Sequence, residues 1–438
     1  MERFDVAIVG GGILGTSFAY WLAARYDGTI AVFERERNVA RHTSRRNTGV
    51  IHRPFYLHPE ERKVFARASQ TSYGLWKAYA AERHLPWSAA GTLKVAMEDG
   101  EVKTLEKNAK WAELNGMDPS EVEVLDGKEV AKLEPNVRCA AALHAKTDTV
   151  VDYRRLTEAV RQDAEALGAV FLTNAPIATA RADAYGITLV SGGVQPDMRA
   201  AYVINCAGGD AVDLAHALGV GLEYADLHFR GDYWVVDDRI ANLVRRNVYV
   251  VPRQSDLPFL DPHWIVRVDG SREIGPNAAP VPGPRDYEGL FRHLRQWPPK
   301  VLEPPVVNKM RLALSREFLG MAVREMLSSL SRGEMLRRVQ RFIPKLRENH
   351  LVARGVAGVR SNVVNPEGRM ENEALELEGP HSFHILNYNS PGATGAPAYT
   401  AYLVDRLARR GAFDHLRPNV KKTAWNWSTV AEGMHLAS

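Results

Sequence analysis

Cysteine is scarce, with Cys139 and Cys206 the two in a chain of 438 residues. They lie far apart and form no C-x-x-C, which excludes a disulfide framework and a cysteine-based metal centre. Cys206 follows the apolar run 202–204 and reads as a buried, inert thiol, in keeping with a reducing cytoplasm. No apolar run is long enough to span a bilayer, so membrane contact is expected to be peripheral at most. The first apolar run follows Glu2 and Asp5 rather than a basic segment, and does not read as a secretory signal. Charge of one sign is lacking too: 56 basic residues against 52 acidic ones leave +4, which gives no reason to expect nucleic acid. There is no internal repeat and no low-complexity tract. With 45% hydrophobic and 25% charged residues, the chain has an ordinary globular composition and core enough for two or three domains.

What is present is concentrated at the start. Residues 6–9 (VAIV) form a short apolar run of the kind buried on both faces of a parallel sheet. Gly10, Gly12 and Gly15 follow in G-x-G-x-x-G spacing, then an apolar helix, a second buried strand at residues 30–33 and an acid, Glu34. Each part has a physical role in holding a dinucleotide. The first glycine permits the tight turn, the second lets the backbone approach a pyrophosphate, and the third lets helix pack on strand. The helix N-terminus offers N–H groups to phosphate. Glu34 can accept from ribose hydroxyls, and its charge disfavours a 2′-phosphate. Strand, helix and carboxylate fall together where the motif requires them, which separates it from a chance glycine loop.

Further along, residues 60–83 have helical spacing, with Phe65, Ala68, Tyr73, Trp76 and Tyr79 expected in the core. A different layer runs from about residue 87 to 143. Helix 152–167 and strands 169–172, 187–190 and 201–206 restore a helix–strand rhythm, the last running into Ala207-Gly208-Gly209. Residues 222–280 read as antiparallel β-structure with a hairpin at Asp269-Gly270. Residues 311–346 read as basic helices. There Leu319, Val323, Met326, Leu327 and Leu330 share a face expected to pack on the domain, with a membrane or partner surface as the alternative. The tail beyond residue 412 reads as a loose extension. The fold class is α/β: a discontinuous, Rossmann-like nucleotide domain into which an α+β domain with an antiparallel sheet is inserted. The expected division is 1–86, 151–220 and 353–412 for the nucleotide domain, 87–150 and 221–352 for the second, and 413–438 for the tail.

Six stretches carry a resemblance in constant order: GGGILG at 10–15, NTGVIH at 47–52, FRGDY at 229–233, IGPNA at 274–278, GVR at 358–360 and NYNSPGAT at 387–394. The chain resembles the FAD-dependent oxidoreductases of the D-amino-acid-oxidase superfamily, and within it the L-2-hydroxyglutarate oxidase/dehydrogenase family. The resemblance implies a non-covalent FAD and oxidation of a small 2-hydroxy acid, with electrons passed to a quinone or another acceptor. It implies flavin contacts from Gly10, Gly12, Ile13, Leu14, Gly15, Glu34, Arg35, Thr43, Ser44, Asn47, Thr48, Gly49 and Val50. Others come from Ile177, Cys206, Ala207, Gly208, Ser390, Pro391, Gly392, Ala393 and Thr394. The chain departs from the family pattern at Arg45-Arg46, at Arg53-Pro54-Phe55 and at Tyr388-Asn389, close to the expected site.

Oxidation of a hydroxy acid requires a base for the hydroxyl proton, a cation for the carboxylate and donors that stabilise charge on the reduced ring. His52 is the first candidate for the base, since an imidazole titrates near neutral pH, and His263 the second. Arg360 and Arg230 are the candidates for the carboxylate, followed by Arg53 and Arg253; a dicarboxylate needs a second cation. Tyr233, Tyr388 and Asn389 complete the substrate-binding candidates. His381 and His384 have a loose metal-like spacing, but no acid or cysteine cluster supports them, so no metal is expected. The competing readings are a malate, glycerol-3-phosphate or amine oxidoreductase of the same superfamily, and a non-catalytic binding protein on the same fold.

Overall fold

The chain is described here from a computed structural model covering residues 2–252, 261–289 and 293–436. Arg253 lies outside the described residues. Among the described residues the fold is α/β, built on two eight-stranded sheets and several smaller ones.

The first sheet grows from the glycine-turn unit. Strand Arg3–Val9 lies parallel between Ile30–Phe33 and Met198–Asn205, and Val170–Leu172 extends the sheet beyond Ile30–Phe33. Val6, Ala7, Ile8, Ala31 and Val32 are fully buried, as strands covered on both faces must be. Helix Ile13–Arg25 lies against this layer with twelve of its thirteen residues buried. Strands Ile177–Asp183 and Gly186–Ser191 add an antiparallel flank, the first of them unread in the sequence. Ser382–Leu386 joins the carboxyl half of Met198–Asn205 in parallel. The carboxyl ends of the parallel strands therefore collect three turns: after Val9, after Phe33 and after Asn205. Ligands of open α/β sheets bind at such ends.

The second sheet is mixed rather than antiparallel throughout. Asn247–Val250 runs parallel to Thr92–Ala96, which joins pieces of chain far apart in sequence. The hairpin at Asp269-Gly270 forms as expected, with His263–Val266 antiparallel to Arg272–Gly275 and Gly270 at φ +90°.

Two other expectations are corrected. The tail after residue 412 is not loose. Trp425 is fully buried among Tyr20, Trp21, Trp76 and Tyr79, and its N–H donates to the Tyr20 hydroxyl at 2.9 Å. An aromatic cluster of this area outweighs the weak periodicity of the flanking residues. Helix Arg316–Leu330 turns the other way from expectation: Phe318, Met321, Glu325, Ser328 and Ser329 are buried, and the leucine face points to solvent. No helix among the described residues is long and apolar enough to cross a membrane.

Candidate functional site

One cavity of about 390 Å³ takes in the three turns at the sheet's carboxyl edge together with His52, Arg360 and the segment 387–394. Its floor is the glycine turn. Gly10 has φ +113°, and a Cβ there would collide with the carbonyl of Cys206. A Cβ on Gly15 would collide with the carbonyl of Gly10, so helix and strand approach as closely as they do only with glycine at that position. The Ser44 hydroxyl, from a loop 31 residues away, accepts from the Ile13 N–H at 2.9 Å and caps the helix. Glu34 is buried, and its carboxylate accepts from the N–H groups of Gly11 at 2.9 Å and Glu36 at 2.8 Å. Burial pushes its pKa up, and these two bonds act against that rise.

The expected cofactor contacts line this cavity with two exceptions, Gly15 and Gly49, which act behind it. Gly15 sets the helix–strand distance, and Gly49 has φ +73° in the turn that aims Val50 and His52. The residues fit FAD. The bare glycine turn leaves room for a pyrophosphate, and a helix N-terminus stands at each of two walls: Ile13–Arg25, and Gly392–Arg409 with Gly392, Ala393 and Thr394 in the lining.

The third turn is fixed by a buried network. The amide of Asn205 accepts at Oδ1 from the Ala207 N–H at 3.1 Å and donates from Nδ2 to the Ala211 carbonyl at 2.7 Å. Its remaining N–H points at His384 Nδ1, 3.0 Å away, so that nitrogen must be the acceptor. His384 Nε2 then donates to the Ser382 hydroxyl at 2.9 Å. Burial lowers the His384 pKa from 6.5 to about 4. The unfolded chain therefore takes up this proton as pH falls below 6.5, while the folded chain resists until about 4. The network's stability is complete above 6.5 and lost through that window, about 2 kcal/mol by pH 5. Urea unfolding at pH 7 and pH 5 should show this drop, and His384→Gln should reduce it.

His52 is held by a residue that sequence reading missed. Its Nδ1 lies 2.9 Å from Asp148 Oδ2, and the Asp148 carboxylate is fully buried. The other oxygen, Oδ1, accepts from the Arg53 N–H at 2.7 Å. With Nδ1 bonded to an acid, the neutral ring carries its proton there and leaves Nε2 as the basic nitrogen. The Tyr249 hydroxyl stands 3.5 Å from Nε2. The His52 N–H donates to the Thr394 hydroxyl at 3.1 Å, which ties the histidine to the helix N-terminus. Asp148 sits just before strand Thr149–Val151 and reads in sequence as an ordinary turn acid; its partner is 96 residues away.

Arg360 extends from strand Gly358–Val364 into the cavity. Burial lowers its pKa, against the opposing influence of Tyr233 and Tyr56. His52 and Arg360 both act electrostatically on His263, which places them in one neighbourhood. Tyr388 and Asn389 also line the cavity. The Tyr388 hydroxyl donates to the Gly392 carbonyl at 2.8 Å, and Asn389 donates to Asn387 Oδ1 at 2.8 Å.

The remaining candidates lie outside the cavity lining. Arg230 donates to Asp232 at 2.9 Å, to the Gly289 carbonyl at 2.8 Å and to Ser329 at 3.0 Å. A guanidinium so engaged braces the strand. Arg53 is likewise structural: it grips both oxygens of Glu121 at 2.8 Å, bonds Thr147 and Gln70, and stacks on Tyr73. His263 lies behind Tyr249, ring centroids 4.0 Å apart. Burial, with His52 next in effect, keeps its pKa well below the usual value, and it is not part of the cavity lining. Tyr233 is buried under the guanidinium of Arg267.

Comparison with known proteins agrees with this geometry. The family profile "FAD dependent oxidoreductase" matches residues 5–406. The chain is 28% identical to L-2-hydroxyglutarate dehydrogenase, mitochondrial, of Nematostella vectensis, over 93% of this chain and 91% of that one. It is 29% identical to L-2-hydroxyglutarate dehydrogenase of Salmonella houtenae, over 92% and 93%. Among solved structures, FAD-bound L-alpha-glycerophosphate oxidase of Mycoplasma pneumoniae superposes with a TM-score of 0.74 at 20% identity, covering 97% of this chain and 99% of that one. With the glycine cradle, the acid at the second strand and the profile match over nearly the whole length, the chain belongs to the FAD-dependent oxidoreductases and is an enzyme whose cofactor is FAD.

Proposed function

We propose that the enzyme oxidises a small 2-hydroxy acid of the L-2-hydroxyglutarate type to the 2-oxo acid, with electrons passed on to a quinone or another acceptor. The observation that carries this reading is that His52, paired behind the wall with Asp148, lines one cavity with Arg360 and the glycine turn. When bound, FAD supplies a hydride acceptor at flavin N5. The chain's own residues supply the rest. His52 Nε2 takes the hydroxyl proton as the Cα hydride departs, and the Asp148 carboxylate stabilises the imidazolium that results. Arg360 holds the substrate carboxylate through paired N–H bonds, strengthened by the dry surroundings. The Gly392–Arg409 N-terminus would offer its partial positive charge to a bound flavin. The names of the relatives support the substrate class.

We read residues 1–86, 151–220 and 353–412 as the flavin domain and 87–150 with 221–352 as the substrate domain. Two free cysteines, one of them buried, suit a reducing cytoplasm. Dye-linked turnover across L-2-hydroxyglutarate, malate, other 2-hydroxy acids, amino acids and glycerol 3-phosphate tests the reading. The five-carbon hydroxy diacid should give the highest kcat/KM. A preference for an amine or for glycerol 3-phosphate would refute it.

A further inference from the structure

Not every wall of the FAD cavity comes from the first sheet. Residues 283–287 follow strand Ala279–Val281, which pairs with Ala225–Gly231 in a different sheet, yet Pro284 and Arg285 line the cavity. The segment is a preformed turn, closed by the Gly283 N–H donating to the Asp286 carboxylate at 2.7 Å. It reaches two of the cavity's loops at separate points. At one point Arg285 donates to both oxygens of Asp210, at 2.8 and 2.6 Å, and Arg35 approaches the same carboxylate at 3.5 Å. Pro284 seats on that turn so closely that a Cβ on Gly209 would stand 2.2 Å from its own Cβ. At the other point the Tyr287 hydroxyl lies 2.6 Å from His42 Nδ1, and His42 Nε2 lies 3.0 Å from Glu36 Oε1. With the acid taking the Nε2 proton, Nδ1 accepts from the tyrosine. Arg46 covers the Tyr287 ring at 3.8 Å and donates to the Ala357 carbonyl at 2.9 Å. The Glu36 N–H in turn donates to Glu34 at 2.8 Å, the acid expected at the ribose.

The segment therefore ties the loop after Phe33 to the turn after Asn205, and both line the cavity. The ties are polar and partly exposed rather than apolar and buried. Contacts of that kind are individually weak and open locally without unfolding a core. We propose that segment 283–287 is a latch on the FAD cavity, with Arg285–Asp210 and Tyr287–His42 as its two catches, and that its opening governs the release of FAD. None of these four residues is among the cofactor contacts expected from sequence. The latch does not depend on which acid is oxidised.

The test is the rate at which FAD leaves the holoenzyme, followed by fluorescence with a phosphodiesterase present to cleave each released FAD and unquench the flavin. Arg285→Ala and Tyr287→Phe should each release FAD about fivefold faster, and about twentyfold faster together. Gly209→Ala leaves both catches in place and carries no positive φ, but its Cβ wedges Pro284 away, so it should also release FAD faster. Arg199→Ala removes an ion pair of similar kind, with Asp183, on the first sheet, and should release at the parent rate. The Tm of the apoprotein should be the same for the parent, Arg285→Ala and Tyr287→Phe. Release at the parent rate by the double variant would overturn the proposal. So would equal acceleration by Arg199→Ala, or faster release that only accompanies a lower apoprotein Tm, which would make these contacts part of the fold. Because release is read without substrate, failure here leaves the 2-hydroxy-acid reading standing, and failure of that reading leaves this one standing.

Discussion

Replacing His52 with Gln should lower kcat for the hydroxy acid by about 10²- to 10⁴-fold, the range spanned by a positioned general base. The visible flavin spectrum should persist, because the contact to Thr394 runs through the His52 backbone N–H. Asp148→Asn should fall in the same direction for a different reason. Asp148 accepts two N–H groups, from His52 and from Arg53, one on each oxygen. An amide has only one oxygen, so one of the two donors must face an NH₂. If that donor is His52, the ring shifts its proton to Nε2 and can no longer act as a base there. If it is Arg53, the backbone leading into the site loses a buried bond. Asp148→Asn should therefore reduce kcat more than it changes KM, and Asp148→Glu should recover part of the loss. A purely structural role would instead lower flavin content and thermal stability without this split.

The second large effect belongs to Arg360. Arg360→Met keeps the bulk of the side chain and removes the charge and the paired donors. It should lower kcat/KM for 2-hydroxy acids by roughly 10²- to 10³-fold, as expected when a charged partner of the substrate carboxylate is lost. Arg360→Lys should recover little, since an ammonium cannot present two parallel N–H bonds. Steady-state kinetics on both variants measures this. An unchanged KM and kcat would move the carboxylate to another cation.

The parts of the site that could be read from sequence are those whose chemistry is local. The glycine turn is legible because strand, positive-φ turn, helix and acid must follow one another within some 30 residues. Segment 387–394 is legible for the same reason: its small residues run straight into a helix N-terminus. Arginines were not legible in this way. Arg230 and Arg53 stand in or beside recognisable segments, as Arg360 does; Arg230 is paired with the buried Asp232 and Arg53 with the partly exposed Glu121. Which acid an arginine meets depends on tertiary contacts across tens of residues, and spacing does not encode it. Asp148 was missed for the same reason, as was Tyr249, whose hydroxyl reaches His52 from a strand 197 residues away. The orientation of Arg316–Leu330 was misread because an apolar stripe is taken to face the core. Here the Arg338 ion pair and the Ala278 N–H, both on the Glu325 carboxylate, outweigh that preference and hold the polar side in. The tail was misread because its buried residues, Phe413, Leu416, Trp425, Val430 and Met434, are too unevenly spaced to show a period.

On the proposed function, one cavity brings a hydroxy acid to FAD between His52 and Arg360. Anaerobic addition of L-2-hydroxyglutarate to the purified yellow enzyme, followed by visible absorbance, tests it most directly. The flavin should bleach with this acid, and the His52→Gln and Arg360→Met variants should bleach far more slowly. A flavin that stays oxidised with every 2-hydroxy acid, or that bleaches only with an amine, would contradict it.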